Sequence, residues 1–213
     1  MSHIATQKYY DGIHADLLDY ATNGYKFYLE GVLPWTPENQ ARLEKALGMK
    51  ISSGTYQDIS GIMGMTAQDE SLYDGVDTSL LIHADLSVDD IVASLSTGSV
   101  RNENPVDVQN ELNRLTSMAN KEALSYIFRW ILNASLRYSL SWDGLLDILD
   151  KDTVEALLDK RNRIVVDTFL AKDTKDSVFL YGALHFEGIY SYLKSKDPRW
   201  EIVSHEPIYP YVP

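Results

Sequence analysis

The chain has 213 residues, 45% of them hydrophobic, and a formal net charge of −12. That length suits one domain with a substantial core, and the charge argues against a general nucleic-acid or anionic-membrane surface, which would repel it. It contains no cysteine, which excludes disulfides, zinc–thiolate sites and cysteine nucleophiles.

In chain order, His3 precedes a segment whose Tyr10, Ile13, Leu17 and Leu18 recur at helical spacing, predicting a helix over 6–21 that Asn23-Gly24 ends. A strand over 25–29 follows and leads into Glu30. A carboxylate at a strand end is poorly explained by packing, because an ionised glutamate is seldom buried without a partner; the competing reading is a solvent-facing loop residue. Pro34-Trp35-Thr36-Pro37 predicts a rigid turn in which Thr36 caps a helix over 37–47. Residues 48–75 are rich in Gly, Ser and Met and read as a loop over the site or as an irregular connection whose methionines fill the core. A strand over 79–87 carries His83, read as structural, and Asp85, where Asp85 or Ser87 would cap a helix over 88–95.

After a polar break at 96–105, the pattern is helical over 106–140 and apolar on nearly every side at 126–132, which suits a buried helix or a homodimer interface. A short helix is expected over 145–149. In the helix expected over 153–170, Val154, Leu157, Leu158, Ile164, Val165 and Thr168 share one side at 100° per residue. Arg161 falls in the middle of that stripe and Arg163 opposite it. An inward guanidinium must find acceptors, such as Glu30, strand-edge carbonyls or a bound anion. Then comes Val178-Phe179-Leu180-Tyr181-Gly182-Ala183-Leu184-His185-Phe186-Glu187-Gly188-Ile189. It predicts a strand over 178–181, a glycine turn and His185 opening a helix over 186–194, at the kind of sheet edge where α/β proteins place ligands. A last strand over 200–204 leads to His205-Glu206-Pro207 and a Pro/Tyr-rich extended arm. The two ends thus read as copies of one unit: a histidine, a helix and a strand.

These residues, His3, Glu30-Gly31-Val32, Arg161-Asn162 and Gly182-Ala183-Leu184-His185 with Gly188, resemble the TraB/PrgY/GumN family, which includes the Tiki proteins. The resemblance implies an α/β fold, with a partly parallel sheet formed from two related strand-GxxH-helix-strand ends and a helical insertion over 88–170, all within a single domain. It also implies a strand and a glycine ahead of His3 that this sequence lacks. His3, Glu30, Arg161 and His185 become the candidate catalytic residues, and Gln68, Asp85 and Asn162 the candidate substrate contacts. Two histidines and a carboxylate, His3, Glu30 and His185, suit a divalent ion, manganese, cobalt or zinc, with positions open for water. The implied activity is metal-dependent hydrolysis of peptide bonds, with Glu30 as ligand or base and Arg161 at the developing oxyanion. Two alternatives stand beside it: a metal-free His/Glu hydrolase resembling erythromycin esterases, with His3 as base, and a peptide-sequestering protein without catalysis. A peptide or small molecule is the expected partner. No stretch approaches the roughly 20 apolar residues that span a bilayer, and the location is left open between the cytoplasm and a membrane reached through a preceding segment.

Overall fold

A computed structural model describes residues 2–31, 36–47, 49–50, 55–95, 106–107, 155–172, 176–206 and 210–211, with the single positions 114, 126 and 208. Its centre is a parallel sheet of three strands in the order β5 (Leu81–His83), β2 (Lys26–Leu29), β7 (Ser177–Leu180). The register aligns Leu29 with both His83 and Leu180. Glu30, Ala84 and Tyr181 therefore leave the sheet side by side at its carboxyl edge. The backbone continues this alignment, with Glu30 N–H donating to Leu180 O at 3.2 Å and Ala84 N–H to Leu29 O at 3.4 Å. The fold is α/β with a partly parallel sheet, as expected.

The alternation of each strand assigns its side chains to two layers. Phe27, Leu29 and Leu180 pack on one face with Tyr10 and Leu17 of α1 (Gln7–Thr22) and with Leu72 and Val76. Tyr28 and Phe179 face the other way, towards Val165, Val166 and Phe169 of α5 (Lys160–Lys172) and Ile189 of α6 (Phe186–Lys196). Tyr28 stacks on Phe179 at 5.3 Å and meets Phe169 edge-on at 5.8 Å, contacts worth about 0.5–1.5 kcal/mol each beyond the area they bury. Leu43 of α2 (Pro37–Leu47) joins Leu86 and, from α4 (Val88–Leu95), Val88 and Ile91 in a third cluster, against which Ile164 packs.

The helix ends follow the sequence chemistry. Thr6 Oγ1 accepts from Tyr9 N–H at 3.3 Å to open α1, and Gly24 behind it adopts φ +81°. Thr36 Oγ1 accepts from Asn39 N–H at 3.2 Å ahead of Pro37. At α4 it is Ser87 that caps: its hydroxyl accepts from Asp90 N–H at 3.2 Å, and Asp90 Oδ2 accepts from Ser87 N–H at 3.3 Å. That reciprocal pair leaves Asp85 for other work.

Several predicted segments differ. The strand expected over 79–87 is confined to β5, behind a 3-10 turn at Thr78–Leu80, and the helix expected over 153–170 opens with a π turn at Glu155–Asp159 before α5. Residues 48–75 are not a loop throughout: they hold the short β3 (Met49–Lys50), α3 (Thr55–Met63), β4 (Thr66–Ala67) and a 3-10 turn at Glu70–Tyr73. Met63 and Ser60 turn inward from α3, and Gly64 at φ +58° stops it. The helical pattern assigned from 106 opens instead as the two-residue β6 (Val106–Asp107), parallel to β3; the rest of that helical pattern lies outside the described residues apart from 114 and 126. Residues 200–204, assigned to a final strand, have no regular structure. Ile202 and Val203 are largely exposed there, so no burial offsets the entropy of ordering a strand. At the other end of the chain β1 (Ile4–Ala5) pairs antiparallel with β4, outside the central sheet. Among the described residues no helix is long and apolar enough to cross a membrane.

Candidate functional site

The carboxyl edge of the sheet gathers five of the seven predicted site residues. Glu30 directly follows β2 and Asp85 lies two residues beyond β5, and Arg161 reaches them from the first turn of α5. Arg161 Nε donates to Asp85 Oδ1 at 2.8 Å, and Nη2 donates to Asp85 Oδ2 at 2.6 Å and to Glu30 Oε1 at 2.8 Å. The first two bonds are bidentate, the strongest geometry a guanidinium offers a carboxylate. Asp85 also accepts from Gly31 N–H at 2.8 Å and Leu86 N–H at 2.7 Å, and Glu30 Oε2 from Gly182 N–H at 2.5 Å. All three side chains are nearly enclosed, exposed by 11% for Arg161, 14% for Glu30 and 1% for Asp85. The inward arginine of the helical stripe has therefore found its acceptors, and Arg163 is exposed as expected.

Burial pulls the Glu30 carboxyl upward, but the neighbouring His185, the Arg161 charge and the Gly182 N–H together outweigh it and hold the group well below its ordinary 4.5. Glu30 is thus ionised at neutral pH. A carboxylate so poorly basic makes a poor general base and a good orienting acceptor.

His185 and Asn162 form the second half of the network. His185 is 3% exposed and Asn162 2%. His185 Nδ1–H donates to Asn162 Oδ1 at 2.7 Å, and Nε2 stands 3.5 Å from Glu30 Oε1. Asn162 Nδ2 is buried without a hydrogen-bond partner. It lies where a side chain at residue 188 would start: a Cβ built on Gly188 would fall 2.0 Å from it. The glycine of the His185-Phe186-Glu187-Gly188 run is thereby explained, since only a residue without Cβ lets α6 pass Asn162. Tyr181 completes the enclosure, its hydroxyl donating to Ala84 O and standing 3.3 Å from Leu29 O.

His3 and Gln68, the remaining two, lie on the opposite side of Glu30. They line a cleft of about 310 Å³ together with Leu29, Glu30, Asp69, Glu70, Tyr73 and His83. Gln68 N–H donates to His3 O at 2.9 Å, which keeps the two neighbours. Gln68 Oε1 is buried without a hydrogen-bond partner. His83, read from the sequence as structural, lines this cleft instead; its place at the end of β5, two residues before Asp85, was the signal. Tyr73, Asp69 and Glu70 were not singled out; Asp69 Oδ1 caps their turn by accepting from Ser71 N–H at 2.9 Å, and His14 Nδ1 meets Leu72 O at 3.0 Å.

The implied metal set can be tested on these positions. Among the described residues no three His, Asp or Glu side chains are grouped so as to hold one ion. Glu30 is engaged through both oxygens, by Arg161 and by Gly182 N–H, and His185 through Nδ1 by Asn162, while His3 stands in the cleft beyond Glu30. The three implied ligands do not converge in this arrangement, and a guanidinium already occupies the cationic position beside Glu30.

No protein-family model, curated protein or solved structure matches the chain.

Proposed function

We propose that this protein is a hydrolase of the TraB/PrgY/GumN type that cleaves peptide bonds with a water held between His3 and Glu30. The observation that carries the reading is the cleft itself, which His3 and the ionised Glu30 both line. Glu30 accepts a hydrogen bond from the water and orients it. His3 takes the water proton as hydroxide adds to the carbonyl carbon, then returns that proton to the amine nitrogen as the C–N bond breaks. The products are a carboxylic acid and an amine, and no atom is left over. Arg161 acts through Glu30, keeping it charged and in place. The donor geometry supports this metal-free version over the implied divalent ion, and the choice is open to direct assay.

Incubation of the intact chain with a library of quenched fluorogenic peptides, in chelator and with added manganese, cobalt or zinc, separates the versions. Cleavage that persists in chelator is the expected result. Cleavage that needs an added ion would replace this version with the metal-dependent one. Saturable peptide binding without cleavage under any condition would replace hydrolysis with sequestration.

A further inference from the structure

His3 stands on a segment with little structure of its own. The β1 ladder that follows it has two residues, paired with two of β4, and so short a pairing is marginal alone. Besides Gln68, whose N–H donates to His3 O at 2.9 Å, part of what holds the segment comes from the other end of the sequence. Ser2 Oγ–H donates to Ile4 O at 2.6 Å. A serine has one hydroxyl proton, so in the 3.2 Å contact between Ser2 Oγ and Tyr211 the tyrosine hydroxyl is the donor. The result is a relay from Tyr211 through Ser2 to Ile4, whose last two members flank His3. Beside it, Tyr10 OH donates to Ser2 O at 2.9 Å and Thr6 N–H to Pro210 O at 2.9 Å. Tyr211 is 8% exposed, so its hydroxyl bond is sheltered from water and stronger for it.

We infer that Tyr211 is a positioning residue for His3: its hydroxyl, relayed by Ser2, fixes the backbone on both sides of the imidazole and so sets where the ring stands in the cleft. This rests on the reading of His3 as the base. The position matters because a displacement on the order of 1 Å in a reacting group costs about 100-fold in rate.

The test is carbon–proton NMR of the five histidines in the intact chain, comparing the parent with Tyr211→Phe, which keeps the ring and removes the donor, and Ser2→Ala, which cuts the relay in its middle. In both variants the His3 Cε1–H resonance is expected to shift and broaden, while those of His14 and His185 stay in place. Amide exchange over residues 3–5 is expected to quicken about tenfold or more. A His3 resonance unchanged in both variants overturns the inference. The two proposals fail separately. Undiminished turnover in His3→Gln removes the base and leaves the NMR response standing, whereas a silent NMR comparison with a dead His3→Gln removes only the positioning.

Discussion

Replacing Arg161 by methionine is expected to lower the unfolding free energy by about 3–5 kcal/mol, because it strands two buried carboxylates that share one guanidinium. Among the described residues Asp85 then keeps its two backbone donors, Gly31 and Leu86, and Glu30 keeps Gly182 and the nearby His185. Urea unfolding at neutral pH measures the loss. Adding Asp85→Asn and Glu30→Gln to Arg161→Met removes the stranded charges and is expected to recover much of it. A loss under about 1 kcal/mol for Arg161→Met alone, the range of an exposed ion pair, would contradict the network. The same network fixes the acid limb. Glu30 in the folded state lies below its ordinary 4.5, so its contribution is fully present above about pH 4.5 and is lost as pH falls through the lower folded value. Glu30→Gln is expected to flatten stability against pH in that window and leave the neutral region without this slope.

The second large effect is expected at Gly188→Ala. The new methyl would fall 2.0 Å from Asn162 Nδ2 and 3.0 Å from Cγ, so Asn162 or α6 has to move. Both are packed, and such overpacking costs about 1–3 kcal/mol. Movement of Asn162 also releases His185 Nδ1 from its acceptor. The decisive comparison is a double-mutant cycle: in an Asn162→Ala background the clash is gone, and Gly188→Ala is expected to cost a few tenths of a kcal/mol at most. Equal costs in both backgrounds, read from melting and urea curves, would show that the glycine serves something other than passage past Asn162.

How much of this was legible depended on whether the deciding contacts were local. The bounds of α2 and α4 could be read because proline, threonine and serine set them within a turn. Arg161 could be read as inward because a helix puts residues seven positions apart on one side whatever surrounds it, and the demand for acceptors followed from its charge. Glu30 and Asp85 fell at strand ends for the same local reason. The segment at 200–204 has strand-forming residues, but a strand exists only where another strand offers an edge, and pairing partners are not written in the segment itself. Residues 48–75 misled in the opposite direction: glycine content suggested a loop, whereas inward Met63 and Ser60 hold a helix there. His185, Asn162 and Gly188 were each singled out, but their contact was not foreseen, since the distance from Asn162 to Gly188 depends on how α5 crosses α6. The metal set shares that limit. Histidines and a glutamate of the right type can be counted along a chain, but convergence on one ion is a property of the folded arrangement.

The most direct test of the central claim is the turnover of His3→Gln on whichever library peptide the parent cleaves in chelator, measured beside its melting temperature. His3 is exposed to solvent, so the substitution is expected to leave the melting temperature unchanged while kcat falls by about 100-fold or more, the ordinary contribution of a positioned general base. Turnover at the parental rate in a folded His3→Gln would mean that the proton goes elsewhere, and the cleft between His3 and Glu30 would not be the hydrolytic centre.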